Sequence, residues 1–168
     1  MNREITSKII GKLSQNDGFP DWWESEKTAI PFFDNKELMI TFIDFVPSQD
    51  KTFIAEADQA LTNFFKLNGQ DRMSISELAH KNCIDYLDAV EYDEEHEPLR
   101  QIKDKNEIWK FIQPLEIYVA RGNYQEGDIY VQVICHCAWE QEHGLQLVFK
   151  QGKTLTRISD LDGNLTDE

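Results

Sequence analysis

Ile129-Tyr130-Val131-Gln132-Val133-Ile134-Cys135-His136-Cys137-Ala138-Trp139 runs into Glu140-Gln141-Glu142-His143-Gly144 and then Leu145-Gln146-Leu147-Val148-Phe149. Successive side chains of a strand point to opposite faces. Ile129, Val131, Val133, Cys135, Cys137 and Trp139 therefore share one face, and Tyr130, Gln132, Ile134, His136 and Ala138 the other. A loop from Glu140 to Gly144 predicts Trp139 opposite Leu145, Cys137 opposite Leu147 and Cys135 opposite Phe149. All six side chains then lie on one apolar face. A shorter loop would set a cysteine against Val148 and turn Leu147 to the His136 face, so the longer loop is expected.

Further strands are expected on either side. Leu115–Val119 precedes this hairpin and Thr154–Ser159 follows it, with Gly122, Gly127, Gly144 and Gly152 in the turns of a four-strand antiparallel meander. An N-terminal hairpin is expected over residues 28–46: Ala29-Ile30-Pro31-Phe32-Phe33, a turn at Asp34-Asn35-Lys36, and a return from Leu38 to Ile43. Pro31 cannot donate to a ladder, which marks its arm as an edge strand. Of the adjacent Trp22 and Trp23, one is expected in the core and the other over an edge or groove.

Phe53, Ile54, Ala57, Leu61, Phe64 and Phe65 recur at helical spacing and predict a helix over 51–67, capped by Asp50 or Ser48 and ended by Asn68-Gly69. A second helix over 74–90 opens on a Ser74–Glu77 capping box. A short helix is expected from Asn106 to Ile112, stopped before Pro114. The class expected is α+β: an antiparallel sheet of about six strands, the hairpin plus the meander, with these two main helices on one face. Residues 20–168 are read as a single domain. Residues 1–19 are read as an extension with a short helix, from the spacing of Ile5, Ile9, Ile10 and Leu13.

The 168 residues carry 17 Lys and Arg against 31 Asp and Glu, a formal net charge of −14. That field repels phosphates and anionic lipid, so nucleic acid and membrane surfaces are not expected as partners, and a basic protein is. Acidity for solubility alone is the plainer alternative. Cys83, Cys135 and Cys137 are odd in number in a chain too large to need stapling, so reduced thiols in a cytoplasm are expected. The N-terminus lacks the basic-then-apolar layout of a signal peptide, and no apolar run is of membrane-spanning length.

The segment 135–146 admits four readings. Cys135, Cys137 and His143 are zinc-type ligands, but C-x-C on a strand is not the usual knuckle and no fourth ligand is nearby. Glu140, Glu142 and His143, with His136, have the right groups for proton transfer, but no nucleophile motif accompanies them. The same residues suit a network that holds a turn, with Gly144 at positive φ. Finally, Trp139, Glu140, Glu142 and His143 at one sheet end suit recognition, an aromatic anchor with a charged rim. The run Glu91-Tyr92-Asp93-Glu94-Glu95-His96-Glu97 reads as a solvated loop or a partner-steering patch. Asp160-Leu161-Asp162-Gly163-Asn164 has its glycine in the wrong place for a calcium loop. No P-loop or G-x-G-x-x-G occurs. No cofactor or metal is expected. Candidate partner contacts are Trp139, Glu140, Glu142, His143, Asp93, Glu94 and Glu95.

Trp22-Trp23, Ile30-Pro31-Phe32-Phe33, Glu56-Ala57-Asp58-Gln59-Ala60-Leu61, the element from Ile108 to Pro114, and above all Cys137 to Phe149 together resemble a signature. It is that of an uncharacterised, mainly bacterial family of small domains ending in C-x-W-E-x-E-H-G-L-Q-L-V-F. The resemblance covers roughly residues 20–165 and implies a globular α+β domain with a protein-binding role, but no catalytic residue. Similar small acidic domains occur as immunity proteins in toxin systems, so an immunity-type inhibitor of a basic toxin is one expectation. A small enzyme or ligand binder using Glu140, Glu142 and His143 is the alternative.

Overall fold

Strands β6 (Ile129–Cys137) and β7 (Leu145–Lys150) sit near one end of a mixed sheet in a computed structural model that describes residues 3–122 and 127–165. The apolar alternation of β6 is realised: Val131, Val133, Cys135 and Cys137 are buried on the helix-covered face. The register differs from expectation. Cys135 faces Leu145, Val133 faces Leu147 and Val131 faces Phe149. A slip by an even number of residues keeps every side chain on its face, so burial alone does not select among such registers. What selects is the turn. Gly144 has φ +73°, and a Cβ there would lie 2.7 Å from the Cys135 carbonyl oxygen. His136 and Cys137 pair only with β5 (Ile112–Arg121).

The meander β5, β6, β7 and β8 (Thr154–Asp160) is antiparallel as expected, with strand ends shifted by a few residues. The N-terminal half holds more strands than expected. The described residues form one sheet of eight strands in sequence order: β1 (Glu4–Ser7), β2 (Gly11–Gln15), β3 (Trp23–Ile30), β4 (Lys36–Phe42), then β5 to β8. Neighbours are antiparallel except β4 and β5, which run parallel with Ile40 opposite Ile117.

The helix expected within residues 1–19 is instead the hairpin β1–β2. Its turn is held by side chains that a periodicity count does not weigh. Ser7 Oγ accepts from the backbone of Ile9 and Ile10, each at 3.1 Å, and donates to Asp58, which also takes the Lys8 N–H at 3.0 Å. Of the four spaced residues only Leu13 is fully buried. Pro31 does not mark an edge strand. β3 ends at Ile30 and lies between β2 and β4, while Pro31–Phe33 is a 3-10 turn in which a missing N–H leaves nothing unpaired.

Between β4 and β5 the chain forms α1 (Phe53–Phe64), α2 (Gly69–Ser74), α3 (Ser76–Ala89), α4 (Glu97–Arg100) and a 3-10 stretch, Lys105–Phe111, where the short helix was expected. Several helices thus pack on one face. Gly69 opens a helix, because Asn68 caps it and forms the capping box with Asp71. Ser74 makes no box with Glu77; its hydroxyl donates to the Asp71 carbonyl at 2.5 Å. Thr52 precedes α1 with no side-chain cap, and Asp50 is engaged by Arg121 instead.

The core under the helices is rich in aromatics. Phe32 touches Phe33, Phe64, Trp109 and Phe149, with centroids 5.0 to 6.4 Å apart. Arg72 closes its rim: the guanidinium lies 5.8 Å from the Phe33 ring and 5.9 Å from that of Trp109 and donates to the Phe32 carbonyl and to Asp34. No helix among the described residues is long and apolar enough to cross a membrane.

Candidate functional site

The loop after β6 is built around Glu140. Its carbonyl accepts from Gly144 N at 3.0 Å and from Cys137 Sγ at 3.6 Å. Its carboxylate accepts from His143 N at 3.3 Å and lies 3.4 Å from His143 Nδ1. Trp139 is 2% exposed, and its Nε1 donates to Asn82 Oδ1 on α3 at 3.0 Å. Of the four readings of this segment, the geometry is that of a turn-holding network. Trp139 is a core anchor and offers no ring to a partner. Glu142 and His143 are exposed, and Glu140 is turned into its own loop. A depression that reaches this loop at Gln141 is lined by Lys110, Phe111, Gln113, His136 and Ala138, among others. Glu140, Glu142 and His143 do not converge on it, so the proton-transfer arrangement is not assembled there.

Cys83, Cys135 and Cys137 are all buried and unbridged. Burial pushes the Cys83 thiol up to about 12 and that of Cys137 to about 11, and drives Cys135 upward as well. Protonated thiols are neither nucleophiles nor metal ligands. Among the described residues no group of three or more His, Cys, Asp or Glu is placed to hold a metal ion. Asp162 is held by Arg157 at 2.8 and 2.9 Å, so the 160–164 segment closes a turn. The thiols are expected to react with a water-soluble disulfide reagent at least about a hundredfold more slowly in the native chain than in denaturant. One thiol modified at the denatured rate would contradict their burial.

The acidic run lies where α3 ends. Asp93 Oδ1 caps the 3-10 turn Glu94–His96 through the Glu95 N–H at 2.9 Å. Asp93, Glu94 and Glu95 are exposed, and among the described residues none is ion-paired. Their charge is therefore uncompensated locally.

A second acidic region lies on the sheet face away from the helices, and only its Trp pair was visible in the sequence. Trp23 is in the core, with Nε1 donating to the Phe45 carbonyl at 3.0 Å. Trp22 is half-buried and stacks on Phe19, with centroids 5.0 Å apart, and meets the edge of Tyr118 at 5.3 Å. Glu116 and Glu24 lie by Tyr118, whose hydroxyl donates to Glu116, and Asp21 and Asp44 neighbour each other at the end of the strands. Partial burial, and then the neighbouring Asp21, push the Asp44 carboxyl above its ordinary range. Beside them opens a cleft of about 720 Å³ lined by Asp21, Asp44, Val46, Arg121, Asp128 and Tyr130, among others. Arg121 brings no free charge to it. Its guanidinium is gripped by Asp50 at 2.7 Å, by Glu56 and by the Gly127 carbonyl at 2.8 Å, and its side chain is 7% exposed. Asp128 is likewise paired, with Lys150 at 3.4 Å. Asp21 and Asp44 set the sign of the cleft. Sequence distance hid this grouping: Asp21 and Asp44 meet because the Phe45 N–H donates to the Asp21 carbonyl at 2.9 Å.

Residues 9–165 match the family model of a domain of unknown function, DUF6985. No curated protein and no solved structure matches the chain. The match begins after β1 and runs past β8, so it spans strands β2 to β8, the helices and both acidic regions. On that extent, the chain belongs to the DUF6985 family of domains of unknown function.

Proposed function

We propose that this chain is an acidic cytoplasmic interaction domain whose partner is a basic protein, and that an immunity-type inhibitor of a basic toxin is the form this takes. The observation that carries the reading is the exposed run Asp93-Glu94-Glu95, which makes no ion pair among the described residues, in a chain of net charge −14. Such a field accelerates encounter with a cationic surface and weakens as salt screens it. Glu142, exposed on the loop after β6, is a second candidate contact. Free buried thiols support a reducing compartment.

The test is affinity capture from the source organism's lysate at low and high salt, with mass spectrometry of what remains. A near-stoichiometric basic protein is expected at low salt, less of it at high salt, and less on a chain carrying Asp93→Asn, Glu94→Gln and Glu95→Gln together. An empty capture at both salts would overturn the proposal. Equal capture by the triple variant would remove this run as the contact.

A further inference from the structure

The face of the sheet turned away from the helices carries an arrangement that charge alone does not explain. The pairing register sets Glu24 on β3 opposite Thr41 on β4, and Thr41 opposite Tyr118 on β5. This row lies on the face opposite Trp23, Phe42 and Val119, which are in the core. On it Trp22 meets the edge of Tyr118 and stacks on Phe19, the outermost ring, which is 56% exposed. A single exposed phenylalanine is ordinary. One stacked on Trp22, at the end of a ring cluster flanked by Glu24 and Glu116, is a preformed platform.

None of Asp21, Glu24, Asp44 and Glu116 is spent on a cation within the described chain. Glu116 accepts the Tyr118 hydroxyl at 2.8 Å, and Glu24 accepts from Asn16 Nδ2 at 2.8 Å. Burial, and then the neighbouring Asp21, raise the cost of ionising Asp44, a cost that an incoming cation relieves. Resting on the interaction reading above, we propose that this platform docks an arginine-bearing basic segment of the partner. Guanidinium groups stack on Phe19 and Trp22 and pair with Asp21, Glu24, Asp44 and Glu116.

Charge complementarity chooses this occupant. Nucleic acid is repelled by the same carboxylates. A second copy of the chain docked here by a two-fold axis would bring identical acidic rims face to face. Arginine is favoured over lysine because its planar, weakly hydrated guanidinium both stacks on a ring and bridges a carboxylate through two N–H donors. Lysine offers a point charge, which the carboxylates attract without help from the rings. The two acidic regions thus have different tasks: the run at 93–95 attracts any cation, while the aromatic platform discriminates among them.

The test uses the full chain and two fluorescein-labelled probes, nona-arginine and nona-lysine, with binding read by fluorescence anisotropy. The arginine peptide is expected to bind about three- to tenfold more tightly than the lysine peptide. Phe19→Ser and Trp22→Ser are expected to erase most of that difference while leaving lysine binding nearly unchanged. Phe19 is exposed enough for its variant to fold, which a thermal melt checks. The triple change at 93–95 is expected to weaken both peptides alike. Equal affinity for the two peptides, or an arginine preference that survives Phe19→Ser, would overturn the platform while leaving the charge-based reading in place. Binding of neither peptide to the native chain would overturn both.

Discussion

Gly152→Ala is expected to cost about 4 kcal/mol or more and to leave little folded protein at moderate urea. Gly152 sits in the β7–β8 turn at φ +72°, and a Cβ there would lie 2.0 Å from the Ala60 carbonyl oxygen and 3.2 Å from the Phe64 nitrogen. Both atoms belong to the backbone of α1, so no side chain can rotate away. The methyl group would lift α1 off the sheet, break the Asn63 side-chain hydrogen bond to the Gln151 carbonyl at 3.0 Å, and open the Phe64–Phe149 contact at 5.3 Å. Gly163 provides the control. It has φ +80° but nothing within 4 Å of its would-be Cβ, so Gly163→Ala carries only the left-handed penalty of about 1 kcal/mol. Urea midpoints for the two variants separate the terms. If they shifted equally, the contact with α1 would not be what demands glycine at 152.

Trp139→Ala is expected to destabilise the chain by about 3–5 kcal/mol, because the largest fully buried side chain is removed at the junction of β6 and α3. Trp139→Phe should lose less, about 1–3 kcal/mol, chiefly by leaving the Asn82 oxygen without its donor. Glu142→Ala, on the exposed tip of the same loop, should stay within about 0.5 kcal/mol of the parent. The contrast separates two uses of one signature. If Trp139→Ala were as stable as the parent and instead weakened a partner, the ring would be an interface anchor and its burial in the free chain would be transient.

The C-terminal meander was legible because each strand there alternates over several residues and is bounded by glycine. The helix α1 was legible for the same reason at helical period. The β6–β7 register was not, since parity constrains it only to alternate choices, and the choice made depends on the approach of Gly144 to the Cys135 carbonyl, two backbones that sequence spacing does not relate. Residues 5–13 misled because a short apolar set satisfies both periods. Deciding it takes Asp58, on α1, whose carboxylate secures the β1–β2 turn. The network at Glu140 was among the four readings of its loop, and Gly144 takes the positive φ foreseen for it. The ring cluster was legible only as one tryptophan displaced to a surface, because Phe19 and the pair Tyr118 and Glu116 reach it from widely separated parts of the chain.

The parallel pairing of β4 with β5 divides the sheet into two halves of unlike folding cost. Strands β1 to β4 and β5 to β8 each pair with the strand next in sequence, so each half can zip from its own turns. The line between them joins Met39–Phe42 to Glu116–Val119, and every residue of α1 to α4 lies in the intervening loop. Closing that loop has the largest entropic penalty of any pairing in the sheet, and nothing local rewards it until the helices have settled over the core. The central strands, the best protected once the chain is native, are thus the ones whose union must wait longest during folding.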